Sequence, residues 1–127
     1  MPQKHLFEYA VIRVVPKVER EEFLNIGVIV YCSQEQFLKC RYSVDETRLK
    51  AFSASLDMTE VKEHLSAFEH VCAGNKASGP IGSLDIASRF RWLTATRSTV
   101  LQPSKVHPGM TINASATLER LFEQLVN

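Results

Sequence analysis

The chain has 127 residues, 45% of them apolar and 23% charged, which suits one domain around one core and excludes a disordered segment. Fifteen basic residues against fourteen acidic ones leave a formal charge of +1, so no global field draws the chain to nucleic acid or to an anionic membrane. No run reaches the roughly 18 apolar residues that span a bilayer, and the start MPQKHLFEYA lacks a signal-peptide core.

Residues 1–6 are expected to form a loose terminus, and residues 7–126 one globular domain. The first strand is predicted over 7–15 and ends at Pro16, which has no amide hydrogen for a ladder. Alternation places Phe7, Tyr9, Val11, Arg13 and Val15 on one side, and Glu8, Ala10, Ile12 and Val14 on the other. Both sides are largely apolar, so the strand reads as internal and covered on each face. The charged connection 17–25, KVEREEFLN, follows, with Phe23 and Leu24 available to pin it to the core.

Gly27 opens the run GVIVYC. A turn at Gln34-Glu35 then predicts a hairpin that pairs Tyr31 with Leu38, Ile29 with Cys40, and Gly27 with Tyr42. That face reads as core; the other sets Val28 and Val30 against Arg41 and Lys39 and reads as partly exposed. Leu49, Phe52 and Leu56 have helical spacing. Asp57 is a good N-cap for a second helix, with Glu60 completing a capping box. Val61, Leu65, Phe68 and Cys72 form its buried stripe, and Gly74 stops it.

The stretch 74–83, GNKASGPIGS, carries three glycines and a proline and is expected to be an exposed, adaptable loop. FRWL and STVLQ suggest two short strands, and PSKVHPGM a turn-rich connection. Asn113 is placed to cap a last helix with apolar positions Leu118, Leu121, Phe122, Leu125 and Val126. The fold class this predicts is α+β: a mostly antiparallel sheet packed against two central helices and a C-terminal helix.

The segments YAVIRVVPKVEREEFLNIGVIVY, SGPIG, FRWLTATRSTVLQPSKVHPG and LERLFEQLV resemble a bacterial family of small domains of unknown function. The most specific pieces are the block from Arg13 to Gly27 and the block Arg97-Ser98-Thr99. The resemblance implies a single domain and brings no catalytic residue. Members of that family resemble partners encoded near a kinase-like protein related to the HipA toxins, which implies a protein partner of that kind.

Arg13 interrupts an apolar strand, and its guanidinium suits a carboxylate or phosphate. Arg97, Ser98, Thr99 and His107 offer further donors, and together the five would make an anion pocket if the fold brought them together. The bland alternative pairs Arg13 with Glu19 or Glu22 and leaves Arg97 exposed. Glu19, Arg20 and Glu22 form a charged cluster; two carboxylates suit a divalent metal, but the neighbouring Arg20 favours a solvated face. Phe90, Arg91 and Trp92 offer stacking beside a cation, against core packing as the plain account.

The three cysteines, Cys32, Cys40 and Cys72, have neither disulfide-framework nor zinc-motif spacing, and a cytoplasmic setting is the default they suggest. His64 and His70 lie six apart and share no helix face as ligands would. No metal and no cofactor is expected, and nothing decides whether the chain is an enzyme. The favoured expectation is a non-catalytic interaction or regulatory domain that uses Asn75, Lys76, Gly79, Pro80 and Gly82 as a contact loop. The alternative is a protein, enzymatic or not, that binds a phosphate-containing ligand or nucleic acid through Arg13, Arg97, Ser98 and His107.

Overall fold

The computed structural model describes residues 3–126. Its centre is β1 (His5–Val14), an apolar strand long enough to pair along both edges. One edge takes β2 (Leu24–Cys32), which turns into β3 (Phe37–Tyr42). The other edge is shared. Its C-terminal half takes β4 (Leu101–Pro103), and its N-terminal half takes β5 (His107–Thr111). All pairings are antiparallel, giving an α+β fold with a five-stranded sheet. Between β4 and β5, Ser104 satisfies β1: Val11 N–H donates to Ser104 Oγ, and Ser104 N–H donates to Val11 O, both at 2.8 Å.

The strand begins two residues before the predicted start. His5 and Leu6, assigned to a loose terminus, pair with Thr111 and Met110. Met1 and Pro2, the rest of that expectation, lie outside the described residues. The turn-rich reading of PSKVHPGM misses β5 for the same reason, since its only strand partner is this start of β1.

The β2–β3 hairpin has the predicted register, with Tyr31 opposite Leu38, Ile29 opposite Cys40, and Gly27 opposite Tyr42. Gln36 closes its turn at φ 49°. A Cβ on Gly27 would lie 2.9 Å from Arg41 O and from Tyr42 Cβ, so the tight approach of β3 requires glycine there. Between Gly27 and Asn25 the register with β1 slips, leaving Ile26 as an extra residue. This bulge turns Asn25 to the side of Arg13 while Leu24 and Ile26 stay with the main core.

One sheet face is covered by α1 (Glu46–Phe52), α2 (Met58–Ala73) and α3 (Ile86–Leu93). Asp45, Asp57 and Asp85 cap them, each carboxylate accepting backbone N–H groups of the first turn. Leu49, Val61, Leu65, Phe68, Phe90 and Leu93 pack against Ile12, Ile26 and Ile29. Leu56, expected to continue the first helix, falls beyond its end but still packs on this core. Gly74 ends α2 in the left-handed conformation, φ 68°, as its position predicted.

The other face is covered by α4 (Ala114–Leu125) alone, capped by Asn113. Leu118, Leu121 and Phe122 pack against Phe7, Val28, Val30 and Cys32. The expectation that the Val28/Val30 face is partly exposed is therefore corrected. The valines are fully buried, while Lys39 and Arg41 on the next strand reach solvent.

FRWL is helical, not a strand. Asp85 starts α3, and Ile86, Phe90 and Leu93 then fall on one face at helical spacing. The stretch 74–83 is also more ordered than predicted. Residues Lys76–Ser83 form 3-10 turns broken at Gly79, φ 64°. Asn75 caps them through Ala77 N–H, and Gly82 is buried with Asn75 O only 2.5 Å from where a Cβ would stand.

Candidate functional site

Arg13 and Arg97 do not form one pocket. Ile12 and Val14 enter the main core, so alternation sends Arg13 to the α4 face. There its guanidinium lies 3.9 Å from the centre of the Phe23 ring. Arg13 Nε and the Oδ1 of its cross-strand neighbour Asn25 are both buried without a hydrogen-bond partner. Neither Glu19 nor Glu22 pairs with Arg13: Arg20 holds Glu22 on the exposed 3-10 turn at Val18–Arg20, and Glu19 is exposed beside them. The charged cluster is a solvated one.

Arg97 belongs to the opposite face. Its guanidinium sits 5.2 Å from the Phe68 ring and 4.8 Å from the Trp92 ring. It donates to Trp92 O and, at 3.3 Å, to Ala95 O. Trp92 lies in the last turn of α3 and Ala95 just beyond it, at the helix end where a cation is favoured. Partial burial lowers its pKa from the ordinary arginine value. Thr99 Oγ1 donates to Leu101 O at 2.6 Å, and Ser98 lies beside it on the surface. His107, on β5, packs against Tyr9 with ring centres 5.3 Å apart and planes tilted by 36°. Phe90 is buried against Tyr31, and Arg91 is exposed. Of the proposed contact loop, Asn75 and Gly82 are used internally, while Lys76, Gly79 and Pro80 face solvent.

The structure assembles two polar groupings that the sequence spacing does not announce. The first joins His5, Cys32 and Glu35, whose donor atoms all lie within 4.8 Å of one another. His5 Nδ1 is 3.1 Å from Glu35 Oε2. The Cys32 thiol donates to Leu6 O at 3.4 Å and lies 3.8 Å from the same carboxylate oxygen. Ala114 N–H, in the first turn of α4, donates to both Glu35 oxygens at 3.0 and 3.2 Å. That backbone donor, seconded by His5, holds the Glu35 carboxyl below its ordinary pKa of 4.5. Residues 5, 32 and 35 come from β1, the end of β2 and the hairpin turn, so no linear motif marks them.

The second grouping is Cys40 on β3 and Cys72 on α2, which line one groove with Glu69 and Arg89. The Cys40 thiol and burial together push the Cys72 thiol up from its ordinary value. Arg89 Nη1 donates to Val71 O and Cys72 O at 2.9 and 2.8 Å, so it closes the end of α2. Tyr42 donates to Glu69 at the same seam, and that bond pushes its phenol up to about 12.

An apolar patch lies at the free end of the sheet. Leu6 and Met110 are cross-strand partners, and Ile112 follows one residue past β5. They are 56%, 57% and 58% exposed, the highest values among the large apolar side chains described. Among the described residues, no helix is long and apolar enough to cross a membrane.

Residues 9–126 match the family described as "Protein of unknown function (DUF3037)". No curated protein and no solved structure matches the chain. The match spans the whole sheet from Tyr9 on and all four helices, so the chain belongs to this family of proteins of unknown function.

Proposed function

We propose that this domain is a non-catalytic protein-interaction or regulatory module, and that it docks its partner on the Leu6, Met110 and Ile112 corner. The observation that carries this reading is the exposure of these three side chains together at one end of the sheet. Scattered single apolar residues are ordinary on a surface; a contiguous group marks a contact. Pro108 lies in β5, and its missing N–H blunts that edge against addition of another strand. The apolar side chains are therefore the contact, and the partner offers a matching apolar face. The resemblance that implies a kinase-like partner related to the HipA toxins names the protein to test.

The anion-binding alternative has lost its motive, since Arg13 and Arg97 are engaged on opposite sheet faces. The interface moves with it from the stretch 74–83 to the β1–β5 corner. The test compares the wild-type domain with Leu6→Glu/Met110→Lys, whose opposite charges keep a favourable cross-strand pair. Each is titrated against the purified kinase-like protein encoded nearest its gene, with far-UV circular dichroism as the folding check. Binding by wild type and a loss of affinity of about tenfold or more in the variant is the expected result. No binding by wild type, or equal binding by both, overturns the proposal.

A further inference from the structure

We propose that His5, Cys32 and Glu35 form a zinc site that ties the first strand to the hairpin turn and to the start of α4. The donor set suits the ion: a thiolate and an imidazole are preferred zinc ligands, a carboxylate is an accepted third, and water takes the fourth position. Thiolate and carboxylate together neutralise the dication.

The spacing suits it as well. Tetrahedral zinc with bonds of about 2.0–2.3 Å places its donor atoms about 3.3–3.8 Å apart. Here Glu35 Oε2 is 3.1 Å from His5 Nδ1 and 3.8 Å from Cys32 Sγ, with all three donors inside 4.8 Å. Only small side-chain adjustments are needed.

The surroundings are those of a supported ligand set. Ala114 N–H orients the Glu35 carboxylate, the kind of outer contact that fixes a ligating group. Cys32 is fully buried, whereas the His5 and Glu35 side chains are 23% and 24% exposed, which leaves an entry path on one side. Binding forms bonds from zinc to sulfur, nitrogen and oxygen and releases the Cys32 thiol proton to water; the bonds from that thiol to Leu6 O and from His5 Nδ1 to Glu35 are surrendered, the imidazole keeping its proton on Nε2. His5 is adjacent to Leu6 and pairs with Thr111, so the ion would also hold the β1–β5 corner in register.

The test uses the full chain, reduced and free of any affinity tag. Zinc is titrated in competition with a chromophoric chelator, and Co2+ serves as the spectroscopic probe. One zinc per chain is expected, with a thiolate-to-cobalt charge-transfer band. In Cys40→Ser/Cys72→Ser the only remaining thiol is Cys32, and the band is expected to persist there. Cys32→Ser, His5→Ala and Glu35→Gln are each expected to weaken zinc binding by about tenfold or more. Failure of the wild-type chain to bind zinc, absence of the band when Cys32 is the sole cysteine, or unchanged zinc affinity in a folded Cys32→Ser variant overturns the site. The band in the sole-cysteine protein decides the question even if the Cys32→Ser variant does not fold.

Discussion

The two faces of the sheet are built differently. On one, three helices and a continuous apolar layer from Leu49 to Leu101 bury the strands. On the other, α4 stands alone over a smaller cluster, and polar side chains fix its position. Glu35 accepts from its first turn; at its far end Asn25 Nδ2 and Arg48 Nη1 donate to Leu125 O and Val126 O at 3.2 and 3.1 Å. Midway, Arg41 pairs with Glu119 at 3.0 Å and stacks 4.7 Å from the Phe122 ring centre. Apolar packing is non-directional, so a broad layer of it holds several helices, whereas a lone helix over few side chains gains its exact seat from directional contacts at its ends.

Deleting a core leucine from each face tests that difference most strongly. Leu65→Ala, in the larger core, is expected to cost about 4 kcal/mol, and Leu118→Ala, under α4, about 2–3 kcal/mol. Urea unfolding measures both; equal costs would remove the energetic distinction between the faces.

The two arginines sharpen it. Arg97→Met removes donors from one carbonyl in the last turn of α3 and one just after it, and is expected to cost about 1–2 kcal/mol. Arg13→Met keeps an apolar chain over Phe23 and removes a buried donor that has no partner, so stability should change by less than about 0.5 kcal/mol or rise. A large loss at Arg13 in the same unfolding measurement would mean that its remaining nitrogens hold the α4 face together.

The smallest expected effect is the most specific to α4. Glu35 has a lowered folded-state pKa, so its stabilising contribution is complete above its ordinary value of 4.5 and is lost as the pH falls through the folded value. In chelator-treated protein, Glu35→Gln is expected to be less stable than wild type by about 0.5–1 kcal/mol at neutral pH. The gap should close below pH 4.5. A gap that stays constant with pH would show that the carboxylate charge does not hold the helix start.

Local pattern made much of this legible. The hairpin register follows from alternation on either side of a short turn, and α2 follows from Asp57, its apolar stripe and Gly74, because each signal lies within a few residues of what it specifies. FRWL misleads because its two aromatic residues, read alone, hide their place in the helical pattern begun by Asp85. The β1–β5 pairing is invisible for another reason: residues 5–9 and 107–111 lie about a hundred residues apart, beyond the reach of any local pattern.

The candidate sites divide along the same line. Residue type alone marks Arg13 and Arg97 as chemically capable, but opposite orientation on a shared sheet separates them. His5, Cys32 and Glu35 carry no recognisable spacing, yet strand pairing and the hairpin turn bring their donor atoms together. The amino-acid sequence by itself determined the fold class, the hairpin and the caps at Asp57 and Asn113, since periodicity and capping act through neighbouring residues. Only the tertiary structure decided which face α4 covers, how β1 divides its edge, and which polar groups meet, because those depend on contacts between segments that are in places more than a hundred residues apart and whose geometry no local pattern carries.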